Sequence, residues 1–176
     1  MAAHPTGFTL RAPMWAIAVL LFVGHAAAQN KTTVGSASKE SPFAQLAGSW
    51  SGAGTIDLAG GKHEPIKCRA SYDVLEDQNK LQLNLHCASQ SYDFDLRASA
   101  AYSAGTITGN WSESSRNAAG TLSGKVQGAG FQVVAKSQTF SANLNLVTRG
   151  ANQSVTINSQ DAQAEVRGAT ITLQRG

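Results

Sequence analysis

Two stretches of alternating apolar and polar residues, running into and out of the turn Glu76-Asp77-Gln78-Asn79, constrain this chain more than any other feature. If they pair as antiparallel strands about that turn, Val74 meets Leu81, Tyr72 meets Leu83, Ala70 meets Leu85 and Cys68 meets Cys87. One register thus gathers every apolar residue and both sulfurs on a single face, and a slip by one residue would turn all of them to the other. Opposed residues at a non-hydrogen-bonded site lie about 4.5 Å apart at Cα, within disulfide range. Cys68 and Cys87, the chain's two cysteines, are therefore expected to form a cross-strand disulfide. A catalytic redox pair would more commonly be spaced C-x-x-C.

The same parity extends in both directions. Trp50, Gly52, Gly54, Ile56 and Leu58 share a face, and a loop over Ala59 to His63 sets Ile56 opposite Ile66 and Gly54 opposite Cys68. After the hairpin, a turn over Ala88 to Ser91 brings Leu85 to Phe94 and Leu83 to Leu96. Ser103 to Thr106 then set Tyr102 against Ile107 and Ala98 against Trp111. A longer loop, Ser112 to Thr121, places Trp111 opposite Leu122 and Ile107 opposite Val126. Phe131, Val133 and Ala135 follow the Gly128-Ala129-Gly130 turn. Phe140, Ala142, Leu144 and Leu146 come next, then Val155 and Ile157, and finally Ile171 and Leu173.

The reading is an all-β, antiparallel up-and-down meander of about ten strands with nearest-neighbour connections. Only 14% of residues are charged, too few for long solvated helices. The opposite parity carries Lys67, Arg69, Asp73, Asn84, Asp93, Asp95, Arg97, Lys125 and Asn143, a face that belongs in water. A transmembrane barrel needs apolar side chains outward, so that class is excluded. A one-sided meander has two exposed edges, and closure into a barrel removes both. A two-sheet sandwich is the alternative.

Residues 1–28 read as a secretory signal: Arg11 precedes an apolar run from Met14 to Gly24, and Ala26-Ala27-Ala28 supply small residues for cleavage. The run is about 11 residues, well below the roughly 20 that a membrane-spanning helix needs. Residues 29–43, polar and rich in Ser and Lys, read as a flexible tail, leaving 44–176 as one barrel domain. The expected location is secreted or periplasmic, where a disulfide persists. Fourteen Lys+Arg stand against 11 Asp+Glu without clustering, which argues against nucleic-acid binding.

The segment Gly48-Ser49-Trp50-Ser51-Gly52-Ala53-Gly54 follows the pattern G-x-W-x-G-x-G. It resembles the start of calycin-type barrels such as lipocalins, avidins, fatty-acid-binding proteins and nitrobindins. The resemblance implies a barrel with Trp50 plugging one end. Lys67-Cys68-Arg69-Ala70, His86-Cys87-Ala88-Ser89 and Gly109-Asn110-Trp111-Ser112-Glu113 also resemble small exported alphaproteobacterial proteins of unassigned function. Two calycin features are missing: no His follows His86, as nitrobindin-like haem binding would want, and the register puts no Arg inside to clamp a fatty-acid carboxylate.

Little else carries chemistry. His63 is expected in a turn and His86 on the polar face, so no metal site is expected, and no cofactor either. Asp93 and Asp95 read as strand-solubilising charges. Gly48 to Gly52 carries Trp50, not Ser, at its centre, and Gly52-Ala53-Gly54 lacks the rest of a dinucleotide loop. No catalytic residues are assigned, and an enzyme is not expected. The expected function is non-enzymatic binding of a small, largely apolar ligand inside the barrel. Trp50, Tyr72, Leu83, Phe94, Trp111, Phe131, Phe140 and Leu144 would line it. Small inward residues such as Gly52, Gly109 and Gly124 would leave space between the large ones, and Tyr72 would be the one ionisable group inside. A protein-interaction module, such as an inhibitor of exported peptidases acting through loop 112–121 or tail 29–43, is the alternative. A structural envelope protein is a third class.

Overall fold

The computed structural model describes residues 41–75 and 77–176. The expected leader, residues 29–40 of the expected tail and Glu76 of the hairpin turn lie outside them. Ten antiparallel strands form a closed barrel. They are β1 (Gly48–Leu58), β2 (His63–Val74), β3 (Lys80–Ala88), β4 (Asp93–Ser103) and β5 (Thr106–Glu113). The second half is β6 (Ala118–Gln127), β7 (Gly130–Lys136), β8 (Ser141–Arg149), β9 (Asn152–Ser159) and β10 (Val166–Arg175). Each strand pairs with its sequence neighbours, and β10 closes on β1 from Trp50↔Arg175 to Leu58↔Val166. Closure leaves no free strand edge, which a sandwich would have kept. No helix among the described residues is long and apolar enough to cross a membrane.

Parity holds on every strand: the polar positions named above are exposed, and the apolar ones turn inward. The β2–β3 register is the expected one, from Val74↔Leu81 to Cys68↔Cys87. The two sulfurs are bonded, with Cα atoms 4.1 Å apart.

Three other registers differ from expectation, each by two residues, so faces are kept while partners change. Gly52, not Gly54, lies opposite Cys68, and Ile56 pairs with Glu64. The reversal is tighter than expected: Gly60 and Gly61, at φ 75° and 78°, fold it so that the Leu58 N–H donates to Lys62 O at 2.8 Å. Likewise Leu85 pairs with Leu96 and Cys87 with Phe94, because the turn closes through the Ser89 N–H and Tyr92 O, at 2.8 Å. Trp111 pairs with Gly120, and Ile107 with Gly124. The expected loop 112–121 shrinks to residues 114–117, since both flanks continue as strand. His63 lies not in the turn but at the start of β2, paired through Nδ1 with Asp57 at 2.6 Å.

The inward glycines do not act as spacers. At Gly52, Gly54, Gly109, Gly120 and Gly124 a Cβ would stand 2.0–2.3 Å from a carbonyl oxygen of the neighbouring strand. At each of them the neighbouring backbone comes too close for a side chain.

Candidate functional site

The two ends of the barrel are built differently. At one end a single 3-10 turn, Ala44–Leu46, precedes β1. Phe43 and Leu46 are each only 2% exposed, so the core begins within the segment expected to be tail. Phe43 packs against Tyr102 and Phe131, with ring centroids 6.4 and 5.7 Å apart. The Trp50 indole donates to Leu46 O at 2.7 Å. The Arg175 guanidinium lies 4.4 Å from the Trp50 ring centre and donates to the carbonyls of Ala47 and Gln45. Ile107 and Leu173 complete this plug.

A buried polar relay crosses the closed end. The Tyr72 hydroxyl donates to Gln153 Oε1 at 2.8 Å, and Gln153 Nε2 donates to Thr148 Oγ1 at 3.2 Å. Burial pushes the Tyr72 phenol well above its ordinary value, against the opposing effect of Gln153. An unfolded tyrosine ionises near pH 10 while the buried one does not, so the unfolded state loses its proton first. Stability supplied by Tyr72 is therefore complete below about pH 10 and falls as pH rises beyond it. Unfolding titrations across this range should show a steeper alkaline loss for the parent protein than for Tyr72→Phe. Parallel curves would mean that Tyr72 does not carry the dependence.

The other end is a mouth formed by the turns between β1–β2, β3–β4, β5–β6, β7–β8 and β9–β10. Tyr92 and Phe94 stack at 6.0 Å, and Arg116 lies over both rings, 5.3 and 4.5 Å from their centres. Arg116 also donates to Asp93 O at 3.1 Å. Below them Trp111 meets Phe140 edge to face at 6.1 Å. Between the two ends, the inward residues Leu83, Leu85, Leu96, Leu122, Val133, Leu144 and Ile157 are only partly buried. Trp111, Ala135 and Ala142 are buried yet stand apart from the contiguous core. Leu83, Leu85, Val133 and Ile157 still pack against the contiguous core, whereas Leu96, Leu122 and Leu144 do not belong to it.

The eight residues read as an interior lining thus divide. Trp50, Tyr72 and Phe131 belong to the plug, Leu83 and Leu144 are partly buried between the two ends, and Phe94, Trp111 and Phe140 lie at or under the mouth. Glu113 was not anticipated. It is inward by the parity of Ile107, Gly109 and Trp111, and was hidden by the expectation that strand β5 ended at Trp111. Tyr72 is therefore not the one ionisable group facing inward. The Glu113 carboxylate, 7% exposed, accepts from the backbone N–H groups of Asp95, Ser115 and Arg116 at 3.0, 2.9 and 2.8 Å. Burial pushes its pKa up, but these donors outweigh it and hold the carboxyl below the ordinary glutamate value. Its work is to close the β5–β6 turn.

Other rim groups are polar. Hydrogen bonds from the Ser89 hydroxyl and the Ser91 N–H hold Glu64 below its usual range. Hydrogen bonding to Glu165, aided by partial burial, raises the Tyr92 phenol.

The outer wall carries two solvent-open hollows, about 640 Å³ along Arg69, Asn84, His86, Asp95 and Arg97, and about 580 Å³ along Lys125, Gln132, Asn143 and Asn145. Both are open to solvent, unlike the concave pockets that bury most of a ligand's surface. His86 Nδ1 sits 3.0 Å from Asp95 and 3.5 Å from Asp93, and all three side chains are exposed.

No protein-family model matches the chain, and no curated protein matches it in sequence. Among solved structures it is similar to the crystal structure of Rv2717c from M. tuberculosis, with a TM-score of 0.61, 11% identity, and 76% of this chain and 94% of that one covered. It is also similar to the S-type phycobiliprotein lyase CPES from Guillardia theta, with a TM-score of 0.54, 11% identity, and 76% and 90% coverage. At such identity the likeness concerns fold alone, and the ten-stranded barrel fits a calycin-like fold.

Proposed function

We propose that this calycin-like barrel is an exported, non-enzymatic binding protein that holds a small, largely apolar ligand between the plug and the aromatic mouth. One observation carries the reading: large apolar side chains that face inward from β3, β4, β6 and β8 are only partly buried. A domain interior is normally close-packed. Apolar surface left accessible inside a closed wall gains free energy when an apolar ligand covers it. The closed end supports a one-mouthed container, since Phe43, Leu46 and Trp50 fill it. Export is supported by the disulfide, which persists in oxidising compartments.

The test is a titration with an environment-sensitive apolar dye. Saturable binding is expected, with at least about tenfold weaker affinity in Leu144→Glu, because a charge inside would lose its hydration unpaired. Leu144 is only partly buried, so this variant should remain folded by circular dichroism. An absence of saturable binding across a panel of apolar probes, in folded protein, would overturn the reading in favour of an interaction module.

A further inference from the structure

The two tryptophans of the barrel are alike in burial and unlike in bonding. Trp50 is 1% exposed and Trp111 7%. The Trp50 indole N–H has its acceptor in Leu46 O. Trp111 Nε1 is buried without a hydrogen-bond partner, the one such side-chain atom found among the described residues. Buried donors are rarely left so, because the lost hydration is not replaced. Phe140, edge to face with Trp111 at 6.1 Å, offers at most a weak π acceptor.

This edge of the indole lies against a glycine backbone. Trp111 faces inward on β5 between Ala98 of β4 and Gly120 of β6. A Cβ at Gly120 would lie 2.9 Å from Nε1, so any other residue there would crowd the N–H. Phe140, the ring beside it, is only partly buried. We infer that Trp111 Nε1–H is the polar anchor of the interior, donating to a neutral hydrogen-bond acceptor, such as a ketone, ester or ether oxygen, carried by an otherwise apolar ligand. This rests on the interior being a ligand site, as proposed above.

The acceptor is neutral because of the charges nearby. Glu113 occupies the next inward position on β5, and its lowered pKa keeps it anionic. It would repel a carboxylate placed at Trp111. Arg116, the cation at the mouth, is engaged by the Tyr92 and Phe94 rings, by Asp93 O and by Glu113 itself at 3.9 Å.

A matched pair of probes tests the anchor: a long-chain methyl ketone and the alkane of the same length. Indole resonances in ¹H–¹⁵N spectra are followed with Trp50 as internal control, and the Trp111 signal is assigned by its loss in Trp111→Phe. The ketone is expected to move the Trp111 indole proton downfield, the alkane to leave it, and Trp50 to stay fixed under both. Trp111→Phe should weaken ketone binding about tenfold more than it weakens alkane binding. If both probes bind and the Trp111 proton responds to neither, the anchor is wrong while the interior remains a binding site. If neither probe binds to folded protein, the binding reading fails and the anchor with it.

Discussion

Gly54→Ala should destabilise the protein by about 3 kcal/mol, at the upper end of what overpacking usually costs. A methyl at this position would stand 2.0 Å from Thr170 O and 2.7 Å from Ile171 Cα, both on β10. These are backbone atoms, so no rotamer change relieves the clash. Relief would require β1 and β10 to part, and that pair closes the barrel. Gly52→Ala should act alike, since its Cβ would meet Thr172 O at 2.0 Å. The comparison is Ser51→Ala, an exposed position immediately before Gly52, expected to stay within about 0.5 kcal/mol of the parent. Urea unfolding midpoints separate the cases. Equal midpoints for Gly54→Ala and Ser51→Ala would show that the β1–β10 approach is looser than described.

Trp50→Ala should cost about 4 kcal/mol, the range for truncating a fully buried aromatic. Three losses combine. The ring is 1% exposed, its N–H holds Leu46 O at 2.7 Å, and Arg175 lies 4.4 Å from its centre. Removing it leaves a cavity beneath the Ala44–Leu46 turn and loosens the attachment of Phe43. Trp50→Phe keeps most of the packing but leaves the Leu46 carbonyl without that donor, so a loss of about 1 kcal/mol is expected. Chemical unfolding measures both, and the Phe variant remains informative if the Ala variant does not fold. A cost below about 1 kcal/mol for Trp50→Ala would mean that the plug contributes little. By contrast, polar substitution at Leu83 or Leu144 should cost less than at Ile56 or Leu173, because the former are only partly buried.

What the chain determined unaided is which way each side chain faces, because a strand alternates faces with a period of two whatever its partner. That is why Ile56, Leu85 and Trp111 point inward as expected although each has a partner two residues from the expected one. The β2–β3 register was legible in full because two sulfurs and three apolar pairs agreed about one turn. Elsewhere the register depended on turn closure. Gly60 and Gly61 adopting positive φ, the Ser89–Tyr92 bond and the Glu113 carboxylate binding three N–H groups are features that emerge only when strands meet.

The candidate site was legible as a list of inward residues but not as a place. Trp50, Tyr72 and Phe131 read like Leu83 and Leu144 in the sequence, yet the first three are consumed by the plug that Phe43 and Leu46 complete. The orphaned N–H of Trp111 had no sequence signal at all, since Trp50 is chemically identical and satisfied. Local alternation needs only neighbouring residues, so it is written along the chain. How completely an interior fills, and which buried donors go unpaired, depends on all ten strands closing together, so only the tertiary structure decides it.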